Sequence, residues 1–483
     1  MAPNILPTSL VSLPAPSGQL FVFQDRLIRL IHNSHVPNVQ TFLNSRTARE
    51  FTESGRFVST RILDQASRKE LLFHNSFPNP LPGEEAWIAV EHDSVPFPAS
   101  SHEWPSEMLH AAGKLTLEVA NALLREELGI KDAIPYNILF RGAEPVFVDL
   151  LSIEKRKPQD SVWVAYAQFI RAFFLPLLAY QKFWLPTHQV FLARPEGLEP
   201  CEFYWLSNTL QKVSPLALLS PDSVPTGFDS AMRSSEALLD HGPLEEVPAD
   251  SRSILRRLLK RLSQMLVRLT PPCRKSLRWS DYMLLQRSYT LENLAAKEAF
   301  VQDAIARFQP KRVLDVGCNT GHFSFLAARG GASVVAIDSN SLVVGELWRR
   351  AHAEKLDILP LVVSLSRPTP AIDGYPSFLD RARGAFDALL MLAVIHHMIV
   401  TDGSTLSEIL ARAAELTTGI CVAEFVGPGD PFFRSLLKEQ NDRSYEWLST
   451  QTFEAVSRRH FKIIASRRLG DSHRWLYLLQ KEA

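Results

Sequence analysis

Two acidic residues and two glycines in the C-terminal half of the chain have the spacing of a site for a nucleoside-bearing ligand. Residues 312–328, RVLDVGCNTGHFSFLAA, predict an apolar strand, a glycine turn and a helix, and a second strand, VVAID, ends at Asp338. Gly317 and Gly321 keep side chains out of the turn, so the backbone can approach a ligand closely. Asp338 lies 23 residues after Asp315, at a strand end where a carboxylate can bind two ribose hydroxyls. The pattern predicts the cofactor site of a doubly wound α/β sheet.

The composition of the turn favours S-adenosylmethionine over a dinucleotide. A dinucleotide site has the pattern G-x-G-x-x-G, whose third glycine packs the helix beneath a pyrophosphate. Here the pattern is Asp315-x-Gly317-x-x-x-Gly321, and adenosylmethionine has no phosphate but carries an ammonium group that suits a carboxylate. The turn resembles the first motif of class I methyltransferases, and AID at 336–338 resembles the second. The alternative is a glycine turn and a solvated aspartate in an ordinary α/β protein.

The resemblance covers about residues 290–483 and implies which residues contact the cofactor. Ser364 takes the place where many class I enzymes carry an acid near the adenine amino group, so a hydroxyl would serve there. Leu392, near the end of a later strand, would supply apolar packing. The implied cofactor residues are Asp315, Gly317, Cys318, Asn319, Gly321, Asp338, Ser364 and Leu392.

Further apolar runs alternate with helical patterns, which predicts a Rossmann-like, mostly parallel sheet covered on both faces. The helices are expected near 341–355 and 404–416. The additional strands are expected at 358–363, 386–392 and 419–426, with a late edge strand at 475–480.

Three residues near the predicted strand ends are candidates for catalysis. Methyl transfer is an in-line displacement, for which an enzyme supplies positioning and, for some acceptors, a base. His396 and His397 follow the fourth strand, and histidine titrates near neutral pH. Glu424 ends the fifth strand and could orient an amine or hydroxyl acceptor. The alternatives are that the histidines cap the next helix or bond to backbone, and that Glu424 makes a structural hydrogen bond.

Composition limits the class of protein. With 483 residues the chain is expected to form two or three domains. Lys plus Arg equals Asp plus Glu at 52 each, which argues against a general nucleic-acid binder. The four cysteines lack zinc-ligand spacing, no signal peptide is evident, and no apolar run is long enough to span a bilayer, so a cytoplasmic location is expected.

One basic stretch stands out within this neutral composition. Residues 252–268, RSILRRLLKRLSQMLVR, place Leu and Ile at helical spacing with Arg and Lys between them. A single helix of a folded domain is one interpretation. Weak contact with a membrane surface or an anionic partner is the other.

The N-terminal half carries a second resemblance. Asp132 is followed five residues later by Asn137, and Asp149 ends the run ValPheValAsp. This arrangement is similar to the catalytic loop and metal-binding strand of protein-kinase-like phosphotransferases, which implies that Asp132 accepts a hydroxyl proton and that Asn137 and Asp149 hold magnesium. Ile130 replaces a frequent histidine, and neither a glycine-rich loop nor a phosphate-binding lysine is evident. The alternative is a simple β-hairpin.

Composition shifts suggest the domain boundaries. A disordered segment is expected at 1–20, a mixed α/β and degenerate kinase-like domain at 21–213, a linker at 214–250, a helical lead-in or lid at 251–300, and the methyltransferase domain at 301–483. Tyr289, in the predicted lid, is a candidate for contact with the substrate.

The arrangement is similar to two-part bacterial methyltransferases grouped with rhizobial nodulation proteins that act in glycolipid signal synthesis. The resemblances imply an adenosylmethionine-dependent methyltransferase that acts on an O or N nucleophile of a small molecule or glycan. Two alternatives remain: a bifunctional kinase and methyltransferase, and a non-catalytic interaction protein on the same scaffold.

Overall fold

The computed structural model describes residues 14–15, 18–65, 67, 87–157, 159–211, 251–272, 290–372, 374–437 and 445–482. These residues form an N-terminal α+β part and a C-terminal α/β part. The linker expected at 214–250 and the lid residue Tyr289 lie outside the described residues.

The N-terminal part begins with an antiparallel sheet of five strands in the order β1-β2-β3-β5-β4. Its strands are β1 (Pro14–Ala15), β2 (Gly18–Phe23), β3 (Arg26–His32), β4 (Thr60–Ile62) and β5 (Trp87–His92). β2 and β3 form a hairpin through Gln24 and Asp25, both at positive φ, as a tight two-residue turn requires. The expectation of disorder over 1–20 was therefore wrong for residues 18–20, whose backbone pairs with β3.

Helices and two short two-stranded sheets, β6–β9 and the hairpin β7–β8, complete the N-terminal part. The helices are α1 (Val36–Leu43), α2 (Arg46–Glu53), α3 (Ser106–Leu123), α4 (Tyr166–Phe169), α5 (Leu175–Phe183), α6 (Thr187–Ala193) and α7 (Pro200–Gln211). A π-helical turn joins α4 to α5, so residues 169–180 form one largely buried helical segment. The short strands are β6 (Leu128–Ile130), β7 (Ile138–Arg141), β8 (Glu144–Phe147) and β9 (Ile153–Lys155).

The basic stretch forms α8 (Ser251–Arg268), which packs on α3 of the N-terminal part. Its leucines at 255, 259, 262 and 266 are buried, and His110 of α3 contacts the Leu266 carbonyl oxygen at 3.0 Å. The lead-in expected at 251–300 is therefore divided: α8 belongs with the N-terminal part, and α9 (Leu291–Phe308) belongs with the C-terminal part.

The C-terminal part is a seven-stranded sheet in the order β12-β11-β10-β13-β14-β16-β15. The first five strands in this order run parallel, and β16 and β15 are antiparallel to their neighbours. The strands are β10 (Arg312–Val316), β11 (Ser333–Asp338), β12 (Ile358–Val362), β13 (Phe386–Met391), β14 (Thr417–Val426), β15 (Phe461–Arg468) and β16 (Arg474–Lys481). The helices are α10 (His322–Arg329), α11 (Ser341–Glu354), α12 (Phe378–Ala382), α13 (Ile395–Val400), α14 (Leu406–Leu416), α15 (Pro431–Leu437) and α16 (Thr450–Ser457).

The predicted edge strand at 475–480 lies inside the sheet, so this prediction was wrong. β16 pairs with β14 on one side and with β15 on the other. Residues 476–479 of β16 are all buried, which suits an interior strand, whereas half of β15 is exposed and it ends in two exposed arginines. Exposed charged side chains are typical of edge strands, because they discourage pairing with another chain.

The two parts share a buried interface. One cluster of buried apolar side chains extends through both, and the ring of Phe97 in the N-terminal part lies edge-on to that of Phe378 at 5.9 Å between centroids and tilted to that of Phe386 at 5.7 Å. The guanidinium of Arg381 pairs with the carboxylate of Glu103, and both side chains are at most 1% exposed. The N-terminal part is therefore packed firmly against the sheet that carries the cofactor-like turn.

Candidate functional site

The turn between β10 and α10 has the conformation that its glycines predict. Gly317 has a φ of +72° and Gly321 a φ of +85°. Residues other than glycine rarely adopt such a backbone conformation. A Cβ atom at Gly317 would lie 2.7 Å from Val394, and one at Gly321 would lie 2.2 Å from Leu347. Both glycines are therefore required by backbone conformation and by close packing.

Asp338 links the glycine turn to the loop after β11. One carboxylate oxygen accepts the backbone N–H of Asn319 at 3.0 Å, and the other accepts that of Asn340 at 2.9 Å. Burial raises the pKa of Asp338, although these hydrogen bonds act to lower it. Since the side chain also lines the adjoining cavity, it both shapes the loops and presents oxygen acceptors.

A cavity of about 560 Å³ opens at the carboxyl ends of the parallel strands. This is the place where ligands bind in open α/β sheets, and the volume lies within the range of small-molecule sites. Among the residues proposed from sequence for the cofactor, its wall includes Gly317, Cys318, Asn319, Asp338, Ser364 and Leu392.

Asp315 and Gly321 are not part of the cavity wall. The Asp315 carboxylate is buried beneath the turn and accepts the Ser324 hydroxyl at 2.6 Å. Burial raises its pKa to about 6. Asp315 therefore supports the turn through α10, and its contact with a cofactor stays a prediction.

The two adjacent histidines have different environments. His397 lines the cavity, whereas His396 is 1% exposed and does not. Among the residues that the structure describes, neither ring nitrogen of His396 has a hydrogen-bond partner, and its ring centroid lies 4.4 Å from that of His397. Burial lowers the pKa of both rings, far below the usual range for His396. Of these two adjacent histidines, the structure thus brings His397 and not His396 to the cavity.

Glu424 does not reach the cavity. Its carboxylate is fully buried, 2.6 Å from the ammonium of Lys297 and 3.2 Å from the guanidinium of Arg474. Arg474 also pairs with Asp430 at 2.8 Å. The environment therefore matches the structural alternative for Glu424, in which it holds other side chains rather than an acceptor.

Lys297 is a charged residue of the cavity wall to which the sequence analysis assigned no role. It projects from α9, lines the cavity, and has its nitrogen 4.9 Å from the centroid of the Phe323 ring. Burial lowers the pKa of Lys297, and the attraction of Glu424 opposes that shift. The sequence did contain a signal, because Lys297 falls at helical spacing with the buried Val301, Ala304 and Ile305.

The kinase-like residues are grouped at the open end of the β7–β8 hairpin. The Asn137 amide donates to the Asp132 carbonyl oxygen at 2.7 Å, and the Val148 N–H donates to the Asn137 carbonyl oxygen at 2.9 Å. Asp149 pairs at 2.8 Å with Arg29, which projects from β3 of the five-stranded sheet. The β-hairpin and the kinase-like grouping are therefore compatible. Arg29 is a basic partner of Asp149 that the sequence did not reveal.

Comparison with known protein families identifies the class of this site. Residues 287–466 match the family described as a methyltransferase domain. This region includes the glycine turn, Asp338 and the whole wall of the cavity. This region of the chain is therefore similar to a methyltransferase domain, and the cavity lies within it.

Individual relatives extend the comparison to the rest of the chain. Nodulation protein NoeA of Rhizobium meliloti (strain 1021) is 26% identical over 475 residues, which is 96% of this chain and 94% of NoeA. The O-antigen chain terminator bifunctional methyltransferase/kinase WbdD of Escherichia coli is 28% identical over 136 residues, 28% of this chain and 18% of WbdD. Among solved structures, N-methyltransferase NodS from Bradyrhizobium japonicum WM9 superimposes with a TM-score of 0.30 at 10% identity, over 40% of this chain and 97% of NodS.

Proposed function

We propose that this protein transfers the methyl group of S-adenosylmethionine to an oxygen or nitrogen nucleophile on a glycan or small molecule. The observation that carries the proposal is the position of the Asp338 carboxylate in the wall of a cavity at the strand ends of a methyltransferase domain. When bound, adenosylmethionine supplies an electrophilic methyl group on a sulfonium.

The cavity residues fit the parts of this cofactor. Asp338 offers two oxygens to ribose hydroxyls, and Leu392 offers an apolar surface to the adenine. The Ser364 hydroxyl, which accepts the Arg367 N–H at 3.3 Å, can also donate to an adenine nitrogen. Lys297 is a cationic residue of the wall, and its ammonium can attract the methionine carboxylate by charge.

His397 is the residue of the cavity wall that can remove a proton from the acceptor. Its lowered pKa keeps the ring neutral near pH 7, so a ring nitrogen can accept a proton. His396 is buried, and its ring stacks on that of Phe433 at 6.2 Å between centroids, so that neighbour is a packing residue in this mechanism.

Calorimetric titration with adenosylmethionine tests the cofactor site. Wild-type protein is expected to bind it, and Asp338→Ala is expected to bind at least about tenfold more weakly, the equivalent of about 1.4 kcal/mol. The matched control is Asp387→Ala. Asp387 also accepts two backbone N–H groups, from Lys311 and Arg312, but it lies near the amino end of β13, away from the cavity at the carboxyl ends of the strands. Absence of binding to folded wild-type protein, with or without candidate acceptors, would favour the non-catalytic alternative. Equal losses in both variants would remove Asp338 from the site.

The relatives support a glycan as the first acceptor class to test. NoeA is named a nodulation protein and WbdD an O-antigen chain terminator. Labelled methyl groups from adenosylmethionine are expected to appear on oligosaccharides with free terminal hydroxyls, and His397→Ala is expected to reduce transfer without a matching loss of cofactor affinity. Transfer only to small amines would assign the acceptor to the other class.

The grouping of Asp132, Asn137 and Asp149 favours phosphoryl transfer as a second candidate activity. Arg29 from the five-stranded sheet reaches Asp149, so a cation and the candidate magnesium ligands meet between the sheet and the hairpin. Magnesium-dependent transfer from ATP should disappear in Asp149→Asn and persist in Asp160→Asn, which changes an exposed aspartate. No ATP binding by the wild-type protein would leave methyl transfer as the sole activity.

A further inference from the structure

The outward side of α8 carries a concentrated positive charge. Its four buried leucines face α3, and the side chains of Arg257, Lys260, Arg261, Gln264 and Arg268 follow one another at helical spacing on the opposite side. We call these five residues the basic face. All five are exposed, so the charge is presented to solvent rather than to the rest of the protein.

The sequence leaves this charge uncompensated within its own segment. No Asp or Glu occurs between residues 251 and 280, although the whole chain has equal numbers of acidic and basic residues. In the part of the chain that the structure describes, Lys260, Arg261 and Arg268 form no ion pair with an acidic side chain.

Two exposed apolar residues accompany the basic face. Ile254 is 41% exposed near the start of α8, and Val267 is 67% exposed near its end. An amphipathic helix that inserts into a bilayer uses its leucines, but here the leucines are buried against the protein. Contact would therefore be electrostatic and shallow, with α8 parallel to the surface and Ile254 and Val267 at the level of the headgroups.

We propose that the basic face binds an anionic phospholipid surface and holds the enzyme there. Each Lys or Arg near an anionic leaflet adds an attraction that salt screens, so several on one helix produce weak, salt-sensitive attachment. A lipid surface fits better than a nucleic acid, because the basic face contains no aromatic side chain for stacking and the protein has no net positive charge. Among the described residues, no helix is long and apolar enough to cross a bilayer, so attachment of these residues would be peripheral.

Co-sedimentation of the full chain with vesicles tests this proposal. Wild-type protein is expected to sediment with phosphatidylcholine vesicles that contain phosphatidylserine, and not with phosphatidylcholine alone. The triple variant Lys260→Glu, Arg261→Glu, Arg268→Glu should bind at least about tenfold more weakly, and raised salt should release the wild type. A neutral version with glutamine at the same three positions should give an intermediate loss, and both should keep the wild-type thermal midpoint.

The control reverses the same number of charges elsewhere. Arg459→Glu, Lys462→Glu, Arg467→Glu changes three exposed basic residues in or beside β15, and this variant should bind anionic vesicles like the wild type. An equal loss in the control would show that net charge, not the basic face, governs binding, and would overturn the proposal. So would wild-type protein that ignores anionic vesicles, or that a short DNA duplex displaces from them at equimolar phosphate.

Discussion

The ammonium of Lys297 lies 2.6 Å from one oxygen of Glu424, and the guanidinium of Arg474 lies 3.2 Å from the other. All three side chains are at most 3% exposed. The Glu424 carboxylate thus contacts two buried cations, one of which forms part of the cavity wall, and Asp430 supplies a second negative charge to Arg474 at 2.8 Å. The end of β14 therefore acts on the candidate site through a lysine on α9, a helix that precedes the sheet in sequence.

Because Glu424 contacts two cations, we expect substitution of Glu424 and substitution of Lys297 to reduce the free energy of unfolding by different amounts. Glu424→Gln leaves Lys297 and Arg474 buried with less compensation and should destabilise the domain by ~3–5 kcal/mol. Lys297→Met should cost less, because Glu424 keeps Arg474 as a partner. Differential scanning calorimetry measures both; a larger loss in Lys297→Met would contradict this account of the pair.

The same lysine gives a prediction for binding. If Lys297 holds the carboxylate of adenosylmethionine, Lys297→Met should weaken the cofactor at least about tenfold while decarboxylated adenosylmethionine binds both proteins alike. The decarboxylated ligand serves as the control, since it separates a lost contact from a damaged cavity. Equal weakening of both ligands would assign Lys297 a structural role only.

Close packing at Gly317 predicts a loss that a second substitution partly restores. Gly317→Ala places a Cβ atom 2.7 Å from a methyl group of Val394, at a φ of +72°, and should reduce cofactor affinity at least about tenfold. Gly317→Ala with Val394→Gly removes the close contacts with both the Val394 methyl group and its Cβ atom but keeps the backbone strain, so it should recover part of the affinity. Gly331→Ala is the control, because Gly331 also has a positive φ, +91°, but has no atom within 4 Å of the added Cβ. A full loss in this control would assign the effect to strain alone.

The buried position of Asp315 predicts a pH dependence of stability. Its pKa is about 6 in the folded protein against an ordinary 3.8, so between these values the folded state keeps a proton that the unfolded chain has lost. The free energy of unfolding therefore falls as pH rises through this window, and the penalty is complete above about pH 6. Asp315→Asn should remove up to ~3 kcal/mol of this dependence.

Calorimetric scans at several pH values compare the variant with the wild type. Ser324→Ala gives the opposite control, because it removes the hydroxyl that stabilises the charged carboxylate and should steepen the fall. A pH profile of Asp315→Asn that parallels the wild type from pH 4 to 7 would contradict the raised pKa.

Local sequence patterns predicted the parallel part of the C-terminal sheet because each strand is a short, buried apolar run between helical patterns. The glycine turn and Asp338 were predictable for the same reason, since their chemistry depends on spacing within one βαβ unit. The position of β16 was not predictable, because its neighbour β15 precedes it in sequence as a polar, arginine-rich segment.

Contacts between residues that are far apart in sequence were not predicted either. Lys297, Glu424 and Arg474 come from α9, β14 and β16, and only the folded sheet brings them together. Arg29 pairs with Asp149 across 120 residues of sequence. Local periodicity contains no information about such pairs, whereas it predicts burial along a single helix or strand.

The pair Arg381–Glu103 gives the final prediction, which concerns how the two parts of the protein are held together. Arg381 lies in α12 of the C-terminal part, and it also donates to the Pro98 carbonyl oxygen at 2.7 Å. Arg381→Met leaves the Glu103 carboxylate buried without its cation, which should cost ~3–5 kcal/mol. Arg383→Met is the matched control, because this arginine lies two residues away, is exposed, and should change stability by no more than about 0.5 kcal/mol. The loss should appear in calorimetry as a lower midpoint or as two separated transitions. Unchanged unfolding of Arg381→Met would mean that the aromatic contacts of Phe97 suffice to hold the interface.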